Sequence, residues 1–153
     1  VPRATRTFPL DADATWDLLT DARNHARWIP LTRVDAGPAV VGARVVAVSG
    51  PSARRGGGGF VDRMEVTRAD PPSARPRVAV FVKHGPVLLG EARIAVLPAG
   101  PTSAHVRWSE DVHLARVPRA VGRVLLAPFV GLMLRWALLR AARETGDATD
   151  RHA

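Results

Sequence analysis

The chain has 153 residues, a formal charge of +8 and 46% hydrophobic content, enough apolar material for one substantial core and too much for a disordered segment. It contains no cysteine and no tyrosine, which excludes disulfides, thiolate metal sites, cysteine nucleophiles and phenolic acids. Lys83 is the sole lysine among 22 basic residues, and the arginines are dispersed rather than gathered in a stripe with interleaved aromatics, so no nucleic acid is expected as a partner.

Residues 3–10 read as a strand. The stretch Asp11–Pro30 then predicts two short helices: Asp11 or Asp13 caps the first, whose apolar face carries Trp16 and Leu19. Asp21 caps the second, which carries His25 and Trp28 and is stopped by Pro30. A bent helix pair directly after a first strand covers a sheet end. Trp16 is its expected core anchor and Trp28 its expected cavity-facing residue, while His25 reads as a surface histidine with gating of an entrance as the alternative.

Strands follow at Arg33–Ala36 and Ala43–Ser49, with Gly37-Pro38 and Val41-Gly42 between them. Gly50-Pro51-Ser52 and Gly56–Gly59 read as a mobile hairpin tip; the glycines lack the Lys-Ser/Thr and strand-to-helix setting of a phosphate loop. Phe60–Arg68 is a strand closed by Asp70-Pro71-Pro72. Arg77–His84 and Val87–Leu97 flank a hairpin at Gly85-Pro86, and Thr102–His113 is the last strand.

From Pro118 to Glu144 the period becomes helical, with Pro128 expected to start a new segment after Val117–Leu126. Phe129, Met133, Trp136 and Leu139 recur at helical spacing and predict the stripe that faces the sheet. The uncharged run Val124–Leu134 falls short of the about twenty residues a bilayer crossing needs, so a core helix and no transmembrane segment are expected. Residues 1–145 read as a single domain and 146–153 as a loose C-terminal tail. No apolar leader is visible, which makes a cytoplasmic location the expectation.

Consecutive short turns imply an antiparallel meander, and only the C-terminal helix is long enough to cover one face of it. The wording of the motifs adds to this reading. Asp13-Ala14-Thr15-Trp16-Asp17-Leu18-Leu19, then Trp28-Ile29-Pro30, then Val41-Gly42-Ala43-Arg44 resemble the START-related SRPBCC superfamily (START/Bet v 1-like). Met64-Glu65-Val66-Thr67 followed by Asp70-Pro71-Pro72, and Val106-Arg107-Trp108, are similar to its polyketide cyclase/dehydratase-like branch. The resemblance covers roughly residues 3–145 and rests on the order of the motifs. It implies an α+β helix-grip fold: a curved antiparallel sheet of about six to seven strands wrapped on a long C-terminal helix, with two short helices after the first strand. It also implies an apolar ligand cavity between sheet and helix. The family's functions range over lipid and hormone carriage and aromatic polyketide cyclisation, so fold does not settle function.

Strand parity supplies candidate lining residues. In the last strand Val106, Trp108, Glu110 and Val112 form the more apolar face and are expected inward; in Phe60–Arg68 the inward set is Phe60, Asp62, Met64 and Val66. In Arg77–His84 the β-branched set Val78, Val80 and Val82 points inward with His84. Phe129, Met133 and Trp136 would complete the lining from the helix.

Asp62, His84 and Glu110 are thus the candidate catalytic residues, as carboxyls or an imidazole projecting into low dielectric. Hydrated strand ends, or pairing with Arg93 or Arg107, are the alternative. His105 and His113 lie too far apart along one strand to share a metal, and no serine sits in a nucleophile elbow, so neither a metal nor a cofactor is expected. Three functions remain. The first is binding of a small hydrophobic ligand such as a lipid, isoprenoid or polyketide. The second is a cofactor-free cyclase or dehydratase. The third is a membrane-surface or partner-binding module, with weak contact to anionic membranes through arginines beside Phe129, Leu132 and Trp136.

Overall fold

The Asp11 carboxylate accepts from the Ala14 backbone N–H at 2.8 Å and starts the first helix, and Asp21 accepts from Arg23 N at 3.1 Å to start the second turn. These caps belong to a computed structural model that describes residues 1–150, with side chains through residue 146. Strand β1 (Arg3–Phe8) leads into α1 (Ala12–Thr20), a 3₁₀ turn at Ala22–Asn24 and the short α2 (His25–Trp28). Then come β2 (Thr32–Ala36), β3 (Arg44–Ser49), a 3₁₀ turn at Ala53–Arg55, β4 (Phe60–Ala69), β5 (Arg77–Pro86), β6 (Leu88–Gly100), β7 (Ser103–Leu114) and α3 (Arg119–Asp150).

All pairings are antiparallel, and the 7-stranded sheet has the order β1-β7-β6-β5-β4-β3-β2. β2 to β7 form a meander, as their short turns predict, while β1 crosses to the far edge and pairs with β7, Thr5 opposite Arg107. The two edge strands are consecutive in the chain. The helix pair joining them therefore spans from one side of the sheet to the other and closes one end of its concave face.

Sheet curvature needs local irregularity. The β4–β5 register shifts between Asp62 and Met64 and again between Val66 and Arg68. In β6, Gly90 has φ +127°, and a Cβ there would collide with the Asp111 carbonyl across the β6–β7 pairing, so only glycine lets the two strands approach.

Helix α3 packs chiefly on β7 and β1. Its buried face is Val130, Leu134, Ala137, Leu138 and Ala141, and it joins Phe8, Trp16, Ile94, Val96 and Val106 in one core. The predicted stripe is largely turned the other way: Phe129 is 74% and Trp136 47% exposed, and Leu139 is half-buried. Alanines at 137 and 141 let the helix approach the sheet closely, and the bulky side chains are left outside. The helix also runs through Pro128 without a new start. The carbonyl that loses its amide partner there belongs to Val124, 73% exposed, where water can replace the lost bond. Helix continues to Asp150, past residue 145 where a loose tail was expected; residues 151–153 of that tail lie outside the described residues.

The helix pair is pinned at both ends. Trp16 is buried, and the Arg77 guanidinium lies 4.0 Å from its ring centroid while reaching Asp13 at 3.3 Å. At the other end Trp28, 1% exposed, donates its indole N–H to Glu144 Oε2 at 2.9 Å, and Arg27 meets the same carboxylate at 2.7 Å.

Candidate functional site

Between the concave face of the sheet, α3 and the helix pair lies a mainly apolar cavity of about 150 Å³. Its wall is built from alternate residues of successive strands, as pleating dictates. Phe60 and Met64 of β4, Phe81 of β5, Ile94 of β6 and Trp108 of β7 face it from the sheet, and Val130 and Met133 from α3. Ala22, His25 and Ile29 close it from the helix pair. Phe60, 40% exposed, stands at the rim.

On the sheet wall the apolar surface is interrupted by one charged cluster. Lys83 on β5 donates from Nζ to Asp62 Oδ2 on β4 and lies 3.8 Å from Glu110 Oε2 on β7, with the Met64 sulfur at 3.6 Å. The three side chains are 5%, 12% and 6% exposed, in the order Lys83, Asp62, Glu110. Burial alone would discharge the Lys83 ammonium; the negative charges of Glu110 and Asp62 outweigh that cost and hold its pKa above the ordinary lysine value. Burial pushes the Glu110 carboxyl upward against the pull of Lys83, and the charge of Asp62 adds to the rise. Asp62 Oδ1 and Trp108 Nε1 are buried with no hydrogen-bond partner among the described residues. A buried acceptor and a buried donor on the wall of one cavity are groups that a polar ligand substituent could satisfy.

His25 sits against this wall. Its Nε2–H donates to the Leu19 carbonyl at 2.8 Å, which leaves Nδ1 with the lone pair in the neutral ring. Its ring centroid lies 4.8 Å from that of Trp108 and 5.8 Å from that of Trp28. Burial pulls its pKa down to about 4, the Leu19 carbonyl opposing this and the Lys83 charge assisting it. His25 is therefore a neutral, buried cavity residue and not the surface histidine expected.

The structure thus brings Asp62, Glu110, Phe60, Met64, Trp108 and Met133 to the cavity and leaves the other candidates outside it. His84 is on the opposite face of β5, its side chain 53% exposed and Nε2 3.6 Å from Glu65. Val80 and Val82 share that outer face, because Ala79, Phe81 and Lys83 are the residues that turn inward. Val106 is buried in the core beyond the cavity, Trp28 is committed to Glu144, and Phe129 and Trp136 face outward. The missed residue with most chemistry is Lys83, which fell on the outer face once parity was taken to turn Val78, Val80, Val82 and His84 inward. A signal for it existed: two carboxylates on inward strand faces require a cation, and the sole lysine lies on β5 between them. Among the described residues no three His, Asp or Glu side chains converge as metal ligands would.

A sheet curled about a long C-terminal helix, with a cavity between them closed by two short helices, is the START-like helix-grip fold. Residues 3–146 match the model of the family described as polyketide cyclase / dehydrase and lipid transport, and the chain belongs to that family. No curated protein sequence matches it. A START superfamily protein from Mycobacterium smegmatis superposes with a TM-score of 0.65 at 15% identity, over 93% of this chain and 96% of that one. The ZhuI aromatase/cyclase from a Streptomyces species gives 0.63 at 16% identity, over 92% of both chains. The di-domain ARO/CYC protein BexL gives 0.67 at 18% identity over 95% of this chain, which spans 45% of that longer protein. At these identities the likeness establishes the fold.

Proposed function

We propose that the protein binds a small, mainly apolar molecule bearing a flat ring and one polar substituent, with the ring in the cavity and the substituent toward Lys83, Asp62 and Glu110. The observation that carries this reading is the apolar cavity of about 150 Å³ with a single charged cluster on its wall. A cavity of about that size accommodates one six-membered aromatic ring. The volume favours a ring-bearing, polyketide-like ligand over a whole lipid or isoprenoid chain. Family membership supports the binding of small hydrophobic molecules in general. Titration with phenol and with benzene, followed by amide chemical shifts, tests the reading. Both should perturb cavity-lining residues, and phenol should bind more tightly because its hydroxyl meets the cluster. No shift at Phe81, Ile94 or Trp108 with either compound would refute it.

A second reading, catalysis of a cyclisation or dehydration, is favoured by one feature: Glu110, with its pKa raised by burial, lies beside an ammonium held charged. In such a step Asp62 Oδ1 takes the proton from the carbon beside the carbonyl, the ammonium stabilises the enolate that forms, and Glu110 in its protonated form gives its proton to the hydroxyl, which departs as water. Glu110→Gln should then keep phenol binding and abolish dehydration of an aromatic β-hydroxy ketone; unchanged turnover removes the reading.

A further inference from the structure

The outward face of α3 carries Val121, Val124, Leu125, Phe129, Leu132 and Trp136, which are 50%, 73%, 55%, 74%, 69% and 47% exposed. Most fall at steps of three and four, so they form one continuous strip roughly 22 Å long at the helical rise of about 1.5 Å per residue. The most apolar window of this helix is only 28% buried. A helix whose sole task was to fill the core would turn such residues inward; here the core uses the opposite face, Val130, Leu134, Ala137, Leu138 and Ala141.

The unpaired charge beside the C-terminal half of the strip is of one sign. From residue 119 to residue 143 the helix has five arginines and no acidic residue; Arg119 and Arg123 turn to the sheet side and pair with Asp111 of β7, which leaves Arg135, Arg140 and Arg143. Arg135, Arg140 and Arg143 are exposed, and Arg140 stacks 5.3 Å from the Trp136 ring centroid. An apolar strip bordered by arginines, with an amphipathic aromatic at its end, has the pattern of a helix that lies in a lipid interface. The formal charge of +8 opposes pairing of this face with a second copy and favours an anionic partner.

We infer that the outward face of α3 docks on an anionic phospholipid surface, the helix lying flat with Phe129, Leu132 and Trp136 in the interface and Arg135 and Arg140 at the headgroups. Crossing the bilayer is excluded by the other face, which is part of the core. The inference does not depend on what the cavity holds. Met133, which lines the cavity, is on the same helix, so docking would place the cavity near the membrane.

Trp136 makes the test direct, because Trp16, Trp28 and Trp108 are all buried. The full chain is mixed with vesicles of phosphatidylcholine and phosphatidylglycerol, and with vesicles of phosphatidylcholine alone. Sedimentation and a blue shift of tryptophan emission are expected with the anionic vesicles, weakening as salt is added. Trp136→Phe should abolish the shift while sedimentation persists. Phe129→Ser/Leu132→Ser, at exposed positions where folding is spared, should lower partitioning at least about tenfold, since two large apolar side chains no longer enter the interface; an unchanged thermal midpoint confirms that the variant is folded. Protein left in solution with anionic vesicles would overturn the inference. So would equal binding to both vesicle types, or a dimer in sedimentation velocity that the Phe129→Ser/Leu132→Ser variant abolishes.

Discussion

His25 makes the stability of the protein sensitive to mild acid. Its pKa falls from 6.5 to about 4 in the folded state because burial penalises the imidazolium. Above 6.5 the ring is neutral in both folded and unfolded chains, and the native state keeps its full stability. Between 6.5 and about 4 the unfolded chain takes up a proton that the folded one does not, so stability is lost as pH falls through that window. At about 1.4 kcal/mol per pKa unit the total loss is roughly 3 kcal/mol. Since native domains hold about 5–15 kcal/mol, this is a large fraction. The assay is urea unfolding across the window for the wild type and for His25→Gln, a neutral side chain that can still donate to the Leu19 carbonyl. Other groups titrate in both proteins and cancel in the comparison, including Glu110, whose raised pKa acts in the opposite sense. The difference in unfolding free energy should shrink by about 3 kcal/mol between the two ends of the window. Parallel curves would show that His25 is hydrated in the folded state, and the argument for a neutral imidazole against Trp108 would fail with it.

Two further outcomes follow from the same geometry. Lys83→Met leaves Asp62 and Glu110 facing one another in a buried wall and should cost roughly 3–5 kcal/mol, part of which Lys83→Met/Asp62→Asn should restore; denaturant midpoints at neutral pH decide it, and a cost below about 1 kcal/mol would mean a solvated cluster. Leu134→Ala, at a position with 0% exposure, should cost about 2–5 kcal/mol, whereas Leu132→Ala, 69% exposed, should fall within about 0.5 kcal/mol of wild type. Equal effects at the two leucines would refute the assignment of the helix faces.

Much of this arrangement was legible in the sequence where one side of an element is clearly more apolar than the other. The β7 set of Val106, Trp108, Glu110 and Val112 turns inward as its alternation predicts, and Asp11 caps α1 as expected, whereas Asp21 caps the 3₁₀ turn Ala22–Asn24 and the helix carrying His25 and Trp28 has no side-chain cap. Strand β5 defeated the same logic. Both of its faces are largely apolar, its outer Val78 and Val80 are themselves buried, and the inward set ends in a lysine whose partners lie on other strands. Helix α3 failed for a related reason, being apolar nearly all round, so that bulk pointed to Phe129 and Trp136 while close packing selected Leu134 and alanines. The position of His25 was hidden because it depends on how the helix pair crosses the sheet, which no local pattern encodes.

The consecutive placement of the two edge strands has a consequence for how the molecule assembles. Strands β2 to β7 can zip through neighbouring hairpins, but β1 must find a partner nearly a hundred residues away, with Thr7 meeting His105 across a separation of 98. Loop-closure entropy makes such contacts late. The helix pair, strung between β1 and β2, cannot seat until β1 does, and Trp28 must then wait for Glu144 on α3. During synthesis β1 and the helix pair thus emerge before the strands that hold them and are placed after them. The nascent meander presents an open apolar trough, and the finished cavity exists only once β1 and α3 have returned to it.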